Sequence, residues 1–154
     1  MSELGFWNFA QKDPSKLALV CPDGTEVSRG ELLASCNQLV HGLRALGLEH
    51  GDCVATVVPN GRAMIELYLA ACQAGWYLSP INHHLTAPEI AYIVGDSEAK
   101  AFVGGERFAD AAVGHDGGHV EEGPLIEGGH ELLLQAGEGV GEPDPGAEIG
   151  RAAC

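Results

Sequence analysis

The stretch Cys53-Val-Ala-Thr-Val-Val58 decides the fold. A near-continuous apolar run of this length is typical of a strand that is covered on both faces. Pro59-Asn60-Gly61 interrupts the run, and Arg62 to Ala74 then predicts a helix that stops at Gly75. The residues expected on the inward face of that helix are Met64, Leu67, Tyr68, Ala71 and Cys72.

Downstream, the same alternation of strand and helix continues. Trp76-Tyr-Leu78 predicts a short strand that ends at Ser79-Pro80. Thr86-Ala-Pro-Glu89 matches a capping box that opens another helix, and Lys100-Ala-Phe-Val103 predicts a further strand. Strands that alternate with helices indicate an α/β fold, with a mostly parallel sheet and right-handed crossover helices.

Upstream, the sequence predicts a hairpin followed by a helix. Lys16-Leu-Ala-Leu-Val20 and Thr25-Glu-Val27 flank the turn cluster Pro22-Asp23-Gly24. Ser28-Arg-Gly-Glu31 matches a capping box, and Gly47 stands where a helix-ending glycine belongs. The apolar residues that share one face of the helix are Leu32, Leu33, Cys36, Leu39, Val40, Leu43 and Leu46.

Composition divides the 154 residues near position 110. Residues 1–112 carry 13 acidic and 7 basic side chains, whereas the last 42 carry 9 acidic and 1 basic. Those 42 residues hold 11 Gly and 3 Pro and no aromatic residue, a composition typical of low-complexity sequence. We therefore expect a folded domain over 1–110 and a poorly ordered acidic tail over 111–154, in which Glu131 to Ala136 forms at most one or two helical turns.

The charge balance and apolar runs exclude several classes of protein. Only eight Lys+Arg are present and none cluster, so we expect no nucleic-acid partner. The apolar runs are too short for a transmembrane segment, and Met1 to Ala10 does not read as a secretory signal, so we expect a cytoplasmic protein. The five widely spaced cysteines are expected to be buried, reduced thiols: Cys21, Cys36, Cys53, Cys72 and Cys154.

No motif predicts a catalytic, cofactor-binding or metal residue. His115-Asp-Gly-Gly-His119, with His130 downstream, has metal-ligand spacing, but the glycines between the first two histidines favour a solvated loop over an aligned helix. His83-His84 follow a predicted strand, and without an orienting carboxylate we interpret them as a neutral surface pair. Gly137-Glu-Gly-Val-Gly141 lacks the flanking strand and helix of a dinucleotide loop.

An ordered set of short motifs carries a family resemblance. From Thr25 to Val103 the chain resembles the N-terminal region of adenylate-forming acyl-CoA synthetases, the fatty-acid-CoA ligases of the AMP-dependent synthetase/ligase family. The motifs are Ser28-Arg-Gly-Glu-Leu-Leu33, Asn37-Gln-Leu39, Leu43-Arg-Ala-Leu-Gly-Leu48 with Gly51-Asp52, Val57-Val-Pro-Asn60, Tyr68-Leu-Ala-Ala-Cys-Gln-Ala-Gly75, Ser79-Pro-Ile-Asn82 with Leu85-Thr86, and Glu89-Ile-Ala-Tyr-Ile93.

The resemblance implies a ligase activity, but this sequence lacks some of the residues that the activity requires. Members join a carboxylic acid to AMP from ATP and then transfer it to CoA, using Mg²⁺, a Gly/Ser/Thr-rich phosphate loop and a lysine from a C-terminal domain. In the family these parts lie downstream of the matched region, and this sequence contains no such loop and no lysine after Lys100. We expect the N-terminal part of such a ligase, inactive alone, with no cofactor of its own and with 111–154 as a truncated or frameshifted end.

Two alternative functions stay open at this level. The chain is either a non-catalytic α/β binding module or the complementing half of a split ligase. In either case, apolar surface that a complete ligase would cover is expected to be exposed and to favour self-association.

Overall fold

The computed structural model describes residues 5–104, Phe108, and the backbone of two further segments in the tail. The α/β fold class predicted from the sequence is confirmed. The helices and strands are α1 (Phe6–Lys12), β1 (Leu17–Val20), β2 (Glu26–Ser28), α2 (Arg29–Ala45), β3 (Cys53–Val57), α3 (Arg62–Ala74), β4 (Tyr77–Pro80), α4 (Ala87–Asp96), β5 (Ala99–Gly104), β6 (His119–Glu122) and β7 (Leu132–Ala136).

The start and end of α2 follow from local chemistry. The Ser28 hydroxyl accepts a hydrogen bond from the Glu31 N–H, at 3.2 Å, while the Glu31 carboxylate accepts from the Ser28 N–H, at 2.8 Å. These contacts satisfy two of the N–H groups that a helix start leaves without partners. Gly47 follows the end of α2 with a φ of 91°, which only glycine adopts readily. The predicted capping box at Ser28 and the predicted end of the helix at Gly47 are confirmed.

The main sheet has the strand order β4-β3-β5-β7-β6. β3 is parallel to both β4 and β5, while β7 is antiparallel to β5 and to β6. The chain moves from β3 outward to β4 and then crosses back past β3 to β5. Right-handed crossovers in opposite directions place α3 and α4 on opposite faces of the sheet.

Two apolar clusters confirm that both faces of the sheet are covered. Val54 of β3 and Val103 of β5 belong to the cluster beneath α2 and α3. Ala55 of β3 and Phe102 of β5 belong to the cluster beneath α4. Alternate residues of each strand therefore face opposite helix layers, and both strands read as continuous apolar runs for that reason.

The inward face of α3 differs from the prediction at two positions. Tyr68 is 58% exposed and Cys72 is also exposed, so both predictions were wrong. Small residues occupy the face toward the sheet instead, since they allow the helix to lie close to the strands. The buried residues of α3 are Ala63, Glu66, Leu67, Ala70, Ala71 and Ala74.

The predicted N-terminal hairpin is confirmed. β1 and β2 pair antiparallel as a separate two-stranded sheet, and Gly24 takes a φ of 87° in the turn between them. Val27 of β2 is buried and packs with Leu32 and Cys36 of α2. The hairpin is therefore held to the rest of the chain by α2.

The prediction of helical turns over Glu131 to Ala136 is wrong, because Leu132–Ala136 is strand β7. It pairs with β5 through Phe102 opposite Leu133 and Val103 opposite Leu132. The edge of β5 offers unpaired N–H and C=O groups, and a strand satisfies these where a short helix cannot. Within 111–154 the structure describes only the backbone of β6 and β7, and the other residues lie outside the described part of the chain.

The cysteines are less buried than the sequence predicts. Only Cys36 is buried among the four that the structure describes; Cys21 and Cys53 are half-buried, and Cys72 is exposed. All four are free thiols, and Cys154 lies outside the described residues. Burial, with a smaller contribution from the Glu66 carboxylate, raises the pKa of Cys36 to about 12.

No helix in the described part of the chain is long and apolar enough to cross a bilayer.

Candidate functional site

The carboxyl ends of the three parallel strands define the candidate site. Thr56 of β3 is in register with Pro80 of β4, and Val57 of β3 is in register with Gly104 of β5. β3 connects to β4 on one side, whereas β5 lies on its other side, so the strand order reverses between β3 and β5. Open α/β sheets bind their ligands at the carboxyl edge next to such a reversal of strand order. The Thr56 hydroxyl donates to the Val103 carbonyl at 3.0 Å and ties these two strands together in the buried interior.

The loop after β4 carries the His83–His84 pair to this edge. The two rings stack at 4.0 Å between centroids and are tilted by 39°. The Asn82 side-chain oxygen accepts from the His84 N–H at 3.0 Å, which fixes the turn. His84 is exposed and His83 half-buried. The hydrogen bonds described for this loop bring no carboxylate to either ring.

A partly buried ion pair lies where the carboxyl-edge loop enters α3. The Arg62 Nε donates to Glu66 Oε1 at 2.7 Å, and Arg62 Nη2 donates to the Ser35 hydroxyl of α2 at 3.1 Å. The Glu66 side chain is only 2% exposed, whereas that of Arg62 is 26% exposed. The arrangement fastens α3 to α2. This ion pair was not predicted from the sequence, although the i, i+4 spacing of Arg62 and Glu66 is visible there.

The burial of the Trp76 indole N–H was also not predicted from the sequence. Trp76 is 7% exposed, and its indole N–H is buried without a hydrogen-bond partner among the described residues. An unsatisfied buried N–H is costly, and the apolar ring packs in the cluster beneath α3. We find no sequence signal that would have identified this orphan donor.

The opposite, amino edge of the sheet holds an open depression of about 560 Å³. It is lined by Cys53, Tyr77, Lys100 and residues of the turns that precede β3 and β5. Burial raises the pKa of the Cys53 thiol, and a hydrogen bond with Ser97 opposes this rise. Parallel α/β sheets place their ligand sites at the carboxyl edge, so this depression lies at the edge opposite to the expected ligand site.

The described residues form no group of three or more His, Cys, Asp or Glu that would hold a metal ion. The predicted histidine spacing after residue 114 falls largely outside them: His115 and His130 are not described, and only the backbone of His119 is. Gly137 to Gly141 also lies outside the described residues. The carboxyl edge thus offers asparagine, histidine and backbone groups for hydrogen bonding, without a described pair of nucleophile and base.

Many nucleotide- and substrate-binding enzymes have an open α/β sheet whose strand order reverses next to the ligand site at the carboxyl edge. The model of the family described as "AMP-binding enzyme" matches residues 6–144, so the chain belongs to this family.

Sequence relatives agree with the family. The chain is 33% identical over 137 residues to a feruloyl-CoA synthase of Amycolatopsis, an alignment that covers 88% of this chain and 26% of the relative. It is 32% identical over 109 residues to the long-chain-fatty-acid–CoA ligase FadD13 of Mycobacterium tuberculosis, with 68% of this chain and 22% of the relative covered.

A solved structure shows the same fold. The inhibitor-bound N-terminal domain of FACL13 from Mycobacterium tuberculosis matches with a TM-score of 0.65 and 30% identity. The match covers 72% of this chain and 29% of that one. The chain thus corresponds to part of the N-terminal region of these ligases and spans about a quarter of the curated relatives' length.

Proposed function

We propose that this chain is part of the N-terminal scaffold of an adenylate-forming acyl-CoA ligase and does not activate a carboxylic acid by itself. The observation that carries the proposal is the family match over residues 6–144, combined with a span of only 22–26% of the relatives. A chain of this extent retains the sheet and its helices, but most of the polypeptide of a complete ligase lies outside it.

The charges at the carboxyl edge support inactivity of the chain alone. Adenylation needs cations and amide groups that hold the phosphates of ATP while charge moves between oxygens. Among the residues that the structure describes, Arg62 is a cation next to this edge, and it already binds Glu66 and Ser35. Lys100 lines the depression at the opposite edge. The described residues therefore do not fit ATP·Mg²⁺, and we derive no catalytic step from them.

The substrate class belongs to the same proposal. The relatives are named for feruloyl-CoA and for long-chain fatty acids. We infer that the complete ligase to which this scaffold corresponds takes a fatty or another carboxylic acid, with ATP, Mg²⁺ and CoA bound mainly by residues outside this chain.

The ligase-like part extends, in this proposal, beyond the change of composition near residue 110. Strands β6 and β7 continue the main sheet, and the family match reaches residue 144. A truncated or frameshifted origin and a cytoplasmic location stay predictions. Reading the other two frames of the coding DNA past codon 110 tests the frameshift, and finding no phosphate-loop sequence there would refute it.

Exchange of labelled pyrophosphate into ATP tests the proposed inactivity. The purified chain is assayed with fatty acids of several lengths and with ferulate, after circular dichroism has confirmed that it is folded. The long-chain-fatty-acid–CoA ligase FadD13 serves as positive control with its fatty-acid substrates. We expect exchange no greater than in a blank without protein. Acid-dependent exchange by the chain alone would overturn the proposal.

A complementing half of a split ligase is the second candidate. Exposed apolar side chains on β1 favour it over a binding module that is complete in itself, because such a surface is normally covered. Self-association through exposed apolar surface is the related proposal for the chain in isolation.

A further inference from the structure

The strand β1 is apolar but poorly covered. All four of its residues, Leu17-Ala-Leu-Val20, are apolar, and only Leu19 is half-buried. The side chains of Leu17 and Val20 are 48% and 53% exposed. Aliphatic side chains in β3 and β5, by contrast, are almost fully buried. β1 therefore exposes apolar surface to water, and covering this surface would be energetically favourable.

The backbone of β1 is open as well. Within the described part of the chain β1 pairs only with β2. Cys21 donates its N–H to the Thr25 carbonyl at 2.8 Å, and Val20 lies opposite Glu26 in the next position of the ladder. Because successive residues of a strand direct their N–H and C=O groups to opposite sides, those of Val20 point to the open edge.

Edge strands usually avoid further pairing through a charge, a proline or a very short length. The sequence from Leu17 to Val20 contains neither a charge nor a proline. Two protective devices are present, a length of only four residues and a bulge between Leu17 and Leu19, and both leave the backbone of Val20 accessible. The edge can therefore accept another strand in the manner of strand addition.

Charge favours a second copy of the chain at this place. The net charge of −14 makes two copies repel over most of their surface. Residues 12–29 are an exception, with three basic and three acidic side chains, namely Lys12, Lys16, Arg29, Asp13, Asp23 and Glu26. Antiparallel approach of two β1 strands brings Lys16, at the start of one strand, toward the turn that carries Asp23 in the other.

We infer that the open edge of β1 is the surface through which two copies of this chain pair, antiparallel, burying Leu17 and Val20 of both. The inference rests on the proposed function in one respect. In that proposal the chain acts as a scaffold on its own and spans about a quarter of the length of its relatives, so its β1 edge is considered by itself. A twofold contact between identical strands is self-complementary and closes without leading to fibres.

Sedimentation equilibrium of the full chain tests the pairing. We expect wild-type protein to reach twice the 16.1 kDa chain mass as its concentration rises through the micromolar range. Val20→Lys and the double variant L17K/V20K are expected to weaken dimerisation at least tenfold. The matched control is A34K/A45K, which adds the same two charges at exposed positions of α2.

The outcomes separate cleanly. Loss of the dimer in the β1 variants, with the control unchanged, supports the inference. A wild-type monomer at every concentration, or equal weakening in the β1 variants and the control, overturns it. If L17K/V20K loses its circular dichroism signal, the single variant Val20→Lys decides.

Pyrophosphate exchange measured on the same samples keeps the two proposals apart. Acid-dependent exchange would refute the proposed inactivity whatever the measured mass. A monomer would refute pairing through β1 whatever the exchange.

Discussion

Gly104 ends β5 at the carboxyl edge, and its replacement by alanine should destabilise the fold through one identifiable contact. A Cβ at this position would lie 2.8 Å from Phe102 Cε1 and 3.1 Å from Cζ. The Phe102 ring is fully buried in the apolar cluster beneath α4, so a shift of the ring would disturb its packing there. An aromatic ring that covers a glycine of its own strand leaves no room for a methyl group.

The expected loss of stability in Gly104→Ala follows from overpacking of the core. Adding a methyl group to a well-packed core costs roughly 1–3 kcal/mol, because side chains leave their preferred rotamers or the backbone shifts. Gly42 in α2 is the matched control, since a Cβ there meets no atom within 4 Å. Gly42→Ala should stabilise the chain by up to about 1 kcal/mol, as alanine favours a helix over glycine. The same chemical change is therefore expected to have opposite signs at the two positions.

Urea denaturation followed by circular dichroism gives the free energy of unfolding of each variant. A double-mutant cycle with Phe102→Leu isolates the contact. In the Phe102→Leu background, Gly104→Ala should cost at least 1 kcal/mol less than in the wild type. If Gly104→Ala is neutral or stabilising, or if its cost is the same in both backgrounds, the proposed contact between Gly104 and the Phe102 ring is refuted.

The remaining predictions concern a helix end, a cap and the thiols. Gly75→Ala should lower the free energy of unfolding by at least about 1–2 kcal/mol in urea, because a φ of 76° strains alanine and a Cβ there would also collide with the His50 ring. No change would contradict both the left-handed conformation and the contact with His50. Hydrogen bonds from Ser28 lower the pKa of Glu31, so its contribution to stability is present above its ordinary pKa and is lost as pH falls through the lowered value. Glu31→Gln should therefore flatten the acid side of the curve of urea midpoint against pH, and an unaltered curve would count against the capping box. A thiol reagent such as dithionitrobenzoate should modify exposed Cys72 in the native protein much faster than buried Cys36, whose pKa is raised to about 12, and equal rates would contradict the assigned burial.

Before Gly104, local sequence signals were sufficient to predict many of the helix boundaries and the central strand. The capping boxes at Ser28 and Thr86 and the breaker at Gly75 have local causes, so the helix boundaries near them could be predicted. The apolar run from Cys53 to Val58 indicated the central strand because both of its faces are covered.

Non-local packing explains the errors. Tyr68 and Cys72 satisfy the helical spacing of α3, but contact with the sheet selects the alanines beside them. Leu132–Ala136 becomes a strand because β5 offers it a partner more than 25 residues earlier, which no local pattern shows. The Arg62–Glu66 spacing is local, but the hydrogen bond from Arg62 to Ser35 depends on α2 lying against α3.

The candidate site was predictable only through the family resemblance. Asn60 and the Asn82–His84 loop follow β3 and β4, and the meeting of these ends at one sheet edge depends on the parallel strand order. Residue chemistry alone indicated no catalytic group. The motifs from Ser28 to Ile93 supplied the family, which the match over residues 6–144 confirms.

Pyrophosphate exchange by a sample verified as folded decides most directly whether this chain keeps a ligase scaffold without its ATP chemistry. Amide hydrogen exchange should first show protected N–H groups in β3 and β5, as expected for the buried centre of the sheet. That protected sample should then give no acid-dependent exchange of pyrophosphate into ATP with any fatty acid or with ferulate. Exchange above the blank, from the same folded chain, would contradict the account.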